Sequence, residues 1–232
     1  MHNAILLSRM RAEGIDPILF SPEELELVAQ AAEKGDFPLP SLPPFPIPRP
    51  VELSPAIEEI AHAAQACLDA VGPCSPVMRN AQKKSAAAAA ADLGRKFPGF
   101  REEIFRLLRA DEASQQVLFS AIGACRQQER QLICLYTAAR ITHHNEDAGE
   151  LTIALDQCEE KMQTLTAARE RLENEMEGLS ALCETRIPAL LDTASSLFAP
   201  APEEPFSAAD FRAAALALRN ACMKLMNRKE EL

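Results

Sequence analysis

Between Arg140 and Thr152 the chain reads RITHHNEDAGELT, so His143 and His144 stand just ahead of Glu146, Asp147 and Glu150. Imidazoles and carboxylates this close can do two kinds of chemistry. They can ligate a metal ion, or they can move a proton as general acid and base. A metal site would use His143 with Asp147, which share a helix face at a spacing of four, with His144 and Glu146 beside them. That requires residues 143–147 to be helical throughout. The set also falls short of the paired Glu-x-x-His motifs of helical di-metal proteins.

A turn between two helices explains the same residues. Ala148-Gly149 would supply the fold-back, and Asp147 with Glu150 would form an Asp-x-x-Glu capping box on the second helix, with Gly149 in its first turn. His143 and His144 would then end the first helix, where its dipole favours positive charge. The turn is the expectation. No catalytic residue, metal or cofactor is assigned.

The rest of the chain offers no other catalytic signature. It carries no P-loop, G-x-G-x-x-G, G-x-S-x-G or H-E-x-x-H pattern. The seven cysteines (Cys67, Cys74, Cys125, Cys134, Cys158, Cys183 and Cys222) form no C-x-x-C pair, and most fall at apolar positions of helical patterns. Unpaired cysteines in that number fit a reducing, cytoplasmic setting. The N-terminal MHNAILLSRMRAEG lacks the apolar run of a signal peptide, and no segment approaches the roughly 20 apolar residues of a membrane span.

Composition narrows the fold. The chain lacks Trp and has one Tyr and eight Gly, with few of the β-branched alternating runs that strands need. It reads as all-α: an elongated helical bundle built around a long antiparallel coiled-coil hairpin, with a Pro-rich extended segment.

The net charge of −10 disfavours nonspecific nucleic-acid binding by the whole chain. Charge is segregated, however: residues 76–109 carry 8 basic and 3 acidic side chains. That segment either packs on an acidic neighbour, which is the expectation, or binds nucleic acid through residues 79–109.

Six segments are expected. Residues 1–36 form short N-terminal helices, the second capped by Ser21 with Glu24 and closed by Gly35. Residues 37–53 are an extended Pro-rich linker, because seven of the fourteen residues from Phe37 to Pro50 are proline. Its apolar side chains Phe37, Leu39, Leu42, Phe45 and Ile47 either pack on the chain's own helices, the expectation, or dock to a partner. Residues 54–110 form short helices, partly basic, one of them with the stripe Ile57, Ile60, Ala64, Cys67 and Val71. Residues 114–192 form the long hairpin. Residues 199–206 are a linker, and residues 207–232 a C-terminal helix. Its stripe of Phe211, Leu218 and Leu225, with Ala215 and Cys222, either joins the bundle or binds another chain.

The hairpin carries two heptad series. One runs Leu118, Ile122, Cys125, Glu129, Leu132, Tyr136 and Ala139; the other runs Leu151, Leu155, Cys158, Met162, Leu165, Arg169, Leu172, Met176, Leu179 and Cys183. Folding at Ala148-Gly149 pairs residues whose numbers sum to about 297, so the lone acid Glu129 meets the lone base Arg169 as a register pair. Registers seven residues apart are otherwise equivalent.

The function expected is that of a non-enzymatic helical interaction protein, an adaptor, chaperone or assembly subunit whose partner is another protein or a second copy of itself. The alternatives are a membrane-active protein that opens its bundle and a nucleic-acid-associated one. The charged hairpin tip disfavours membrane insertion.

Overall fold

The computed structural model describes residues 3–41, 55–72, 80–196 and 208–227. Every regular element among them is helical: α1 (Asn3–Ala12), α2 (Pro22–Lys34), α3 (Pro55–Val71), α4 (Asn80–Ile141), α5 (Asn145–Ala181), α6 (Ile187–Ser196) and α7 (Ala208–Asn227). A 3-10 turn spans Pro17–Leu19, and a π-helical turn spans Leu182–Arg186. The chain divides into two compact units. Unit 1 comprises Met1–Pro48 with Gln116–Glu170, and unit 2 comprises Arg49–Gln115 with Arg171–Leu232.

Local chemistry sets several helix ends as the sequence implies. Ser21 Oγ accepts from the Glu24 amide at 3.2 Å while the Glu24 carboxylate accepts from the Ser21 amide at 2.7 Å, which completes the capping box of α2. Gly35 ends that helix at φ 62°, a left-handed conformation that costs glycine nothing.

The expected short helices over residues 80–110 are instead one helix with the first arm of the hairpin. α4 continues through Gly94, Pro98 and Gly99 to Ile141. A proline inside a helix loses one backbone hydrogen bond and costs about 3 kcal/mol. The apolar stripe explains why the helix persists. Ala86, Ala90, Leu93, Phe100, Ile104 and Leu107 are all buried, on steps of three, four and seven that run straight past Pro98. Each large side chain contributes about 1.5–3 kcal/mol on burial, so packing wins over the local break.

The turn also lies elsewhere than expected. α4 stops at Ile141, and His143 takes the left-handed conformation, φ 60°. Its amide donates to the Arg140 carbonyl at 3.1 Å, and the His144 amide reaches back to the Ala139 carbonyl at 2.9 Å. Those two bonds are the Schellman pair that normally surrounds a glycine. α5 then starts at Asn145, with the Ala148 amide donating to the His144 carbonyl at 3.0 Å. The expected Asp147–Glu150 box therefore caps nothing. Asp147 lies in the first turn of α5, and Gly149 and Glu150 follow inside the helix.

Moving the turn moves the register. Cys158 Sγ donates to the Cys125 carbonyl at 3.4 Å, a pair whose numbers sum to 283 rather than 297. The helices have slid by two heptads. In this register Glu129 faces Ala154, and Arg169 lies fifteen residues further along α5, on the order of 20 Å away. The Glu129–Arg169 register pair is thus not formed. Apolar layers match at least as well after the shift, with Leu118 opposite Leu165 and Leu132 opposite Leu151, all buried.

In unit 2 the parts of α4 and α5 that belong to it join α3, the π turn, α6 and α7 in one core. α3 and α7 run antiparallel, since Arg212 near the start of α7 donates to the carbonyl of Gly72 at the end of α3, 3.0 Å away. The result is an up-and-down four-helix bundle. Along its fourth side the stripe Leu172, Met176, Leu179, Cys183, Ile187, Leu190 and Ala194 contains two consecutive steps of four. The wider π turn absorbs the additional residue, and it ends two residues ahead of Pro188, which has no N–H to give.

Phe211, Leu218 and Leu225, expected as candidate partner-binding residues, are buried in this core against the protein's own helices. They are not an open surface. The linker over residues 199–206 lies outside the described residues.

Candidate functional site

In unit 1 the chain from the end of α1 into the first turn of α2 reads EGIDPILFSPEE, from Glu13 to Glu24. Asp16 and Pro17 open the 3-10 turn for ordinary local reasons. The Asp16 carboxylate accepts from the Ile18 amide at 3.1 Å, and Pro17 presets the first turn. The turn buries none of its residues. Ile18 is 87% exposed and Leu19 67% exposed, side by side.

The backbone beneath these two side chains is held from several directions. The Leu19 amide donates to the Asp16 carbonyl at 3.3 Å, and the Phe20 amide to the Pro17 carbonyl at 3.2 Å. From α4, Arg130 donates to the Leu19 carbonyl at 2.9 Å and forks onto both oxygens of Glu24, at 2.7 and 2.6 Å. Its guanidinium also lies 5.9 Å from the centroid of the Phe20 ring. One arginine therefore ties the turn to the capping box of α2. The Arg130 hydrogen bond holds the Glu24 carboxyl below its ordinary value, with the Ser21 amide adding to the effect. Glu24 in turn raises Arg130.

The described part of the Pro-rich segment lies on the same unit. Phe37 is half-buried with its ring centroid 5.3 Å from that of His144, at a tilt of 58°. The Pro40 carbonyl accepts from Gln128 Nε2 at 2.6 Å. Phe37 and Pro40 thus contact the turn after α4 and α4 itself, respectively. Leu39 points outward and is exposed. Leu42, Phe45 and Ile47 lie outside the described residues.

No family model, curated protein or solved structure matches this chain. Geometry alone must say what the surface can do.

At the hairpin tip, His143 and His144 are exposed, and His144 Nδ1 is 2.9 Å from the Thr142 hydroxyl. Among the described residues no group of three or more His, Cys, Asp or Glu is placed to hold a metal ion. An open cleft of ≈ 420 Å³ adjoins the tip, lined by Arg9, Ala12, Glu13, Ile141, Thr142 and His143. Arg140 and Glu13 pair nearby at 3.0 Å. Glu129 and Arg169 are half-buried at separate levels of the hairpin.

The six described cysteines are free and buried. Burial pushes the thiols of Cys67, Cys134 and Cys183 up to about 11 and that of Cys222 up to about 12. Thiols that resist ionisation are poor nucleophiles and behave as small apolar groups.

Sequence reasoning missed the Ile18–Leu19 turn and its Arg130 clamp. The signal was the Asp-Pro turn followed by three apolar residues directly ahead of a helix cap. The long-range Arg130–Glu24 contact left no mark in either local pattern.

Proposed function

We propose that the chain is a non-enzymatic helical interaction protein, an adaptor, chaperone or assembly subunit, whose partner is another protein or a second copy of itself. The observation that carries this reading is the Ile18–Leu19 pair, apolar, adjacent and exposed on a backbone fixed by Asp16 and Arg130. Single exposed apolar residues such as Phe119 or Ile153 are ordinary on a protein surface. A rigid pair differs. Little ordering entropy remains to be lost when it is covered, and burying two such side chains is worth about 1.5–3 kcal/mol each.

Substituting both residues by Ser tests the reading. Crosslinking in cells followed by quantitative mass spectrometry should show specific partners, or the chain itself, captured by the wild type and lost from the double variant. Thermal stability should not change. Equal capture by both proteins would remove this turn from the interface.

A second reading has one observation in its favour. Lys83, Lys84, Arg95 and Arg109 of α4 are exposed on the basic segment. Nucleic-acid association through them would appear as low-salt binding with a steep salt slope. For the membrane reading, no helix among the described residues is long and apolar enough to cross a bilayer.

A further inference from the structure

Unit 2 contains a charged side chain where its packing calls for an apolar one. The buried stripe of α4 runs Ala86, Ala90, Leu93, Phe100, Ile104 and Leu107, and its next position is Asp111. Asp111 is 0% exposed, and among the described residues neither carboxylate oxygen has a hydrogen-bond partner. Leu172 of α5, the residue opposite in the 283 register, is also buried. Glu175, one turn further along α5, bears on Asp111 with like charge.

Among the described residues, no basic side chain bears on Asp111. Arg109 and Glu112 on α4 are exposed, as is Arg171 on α5. α7 reaches this end of the bundle through Leu225, whose Cδ2 would lie 3.1 Å from a Cβ built on Gly178, and its Lys224 is exposed. Glu58 and Glu59, near the start of α3, are exposed too. A buried carboxylate left without a partner is among the more costly arrangements in a protein, whereas its neutral acid is far cheaper to bury.

We propose that Asp111 is a protonation latch: unit 2 closes around its neutral acid and loosens at that layer once it ionises against Glu175. Burial, with Glu175 adding, pushes its carboxyl from the ordinary 3.8 up to about 6. A folded-state value above the unfolded one stabilises the fold at low pH. That stabilisation is complete below the unfolded value and is lost as pH rises through the folded one. The latch is thus shut in acid and released near neutrality, where the apolar seam beside Leu107 and Leu172 becomes accessible.

The test compares the full-length wild type with Asp111→Asn between pH 4 and pH 8, by chemical unfolding and by amide exchange normalised to intrinsic rates. The wild-type folding constant should fall on the order of 100-fold relative to the variant across that range. Exchange around residues 104–111 and 172–179 should quicken in the wild type alone. Parallel pH curves for the two proteins would overturn the proposal. So would an Asp111 carboxyl carbon, followed by NMR, that titrates near 4. Should Asp111→Asn not fold, Asp111→Leu carries the same expectation, because it is equally neutral. Glu175→Gln should move the wild-type transition to lower pH.

Discussion

The thiol of Cys158 donates to the carbonyl of Cys125 across the hairpin of unit 1 at 3.4 Å. This contact sets the pairing of the two arms. It places Leu118 opposite Leu165 and Leu132 opposite Leu151, and it separates Glu129 from Arg169. In a double-mutant cycle, Glu129→Leu and Arg169→Leu should therefore add to within about 0.5 kcal/mol, as distant sites do. Urea unfolding of the four proteins measures this. A coupling above about 1 kcal/mol would mean that the arms pair in the other register.

His143 holds a left-handed backbone that suits glycine, at φ 60°. Its side chain is exposed and its backbone already makes the C-terminal bond to Arg140. His143→Gly should stabilise unit 1 by about 1 kcal/mol, and His143→Val should destabilise it by a similar amount or more. Denaturant midpoints at pH 7 report both changes, and a Val variant as stable as wild type would contradict the turn geometry.

Pro98 sits exposed in the interior of α4 and withholds a donor from the Gly94 carbonyl. Replacing it costs no buried contact. Pro98→Ala should raise the stability of unit 2 by about 1–3 kcal/mol. Little change in thermal midpoint would indicate that the helix is interrupted there in solution.

The Arg130–Glu24 fork is partly exposed, with side-chain exposures of 44% and 21%, so its worth is at most about 1 kcal/mol. Because the Glu24 carboxyl is held below its ordinary 4.5, this stabilisation is present above that pH and fades as pH falls through the lowered value. The stability gap between wild type and Arg130→Met should be constant near neutrality and close in acid. A gap that widens on acidification would assign the effect to another group.

The sequence by itself determined the local features. Its composition and heptad steps specify helices, Ser21 with Glu24 specifies the start of α2, and the stripe of α3 names residues that go inside. Those signals are short-ranged, and they are written in residue type and spacing. Pattern could not place the hairpin turn. A heptad repeat looks the same after sliding by seven or fourteen residues, and a glycine at 149 outbid a histidine able to adopt φ 60° at 143.

Tertiary packing decided the rest. The buried stripe carried α4 through Pro98, where local preference alone would have ended it. The core of unit 2 claimed Phe211, Leu218 and Leu225, which as a lone amphipathic stripe suit a partner's helix equally well. Arg130 reached Glu24 across 106 residues of chain. Asp111 became a buried acid because the helices around it closed, and the free energy that closes them comes from side chains that are not its neighbours in sequence.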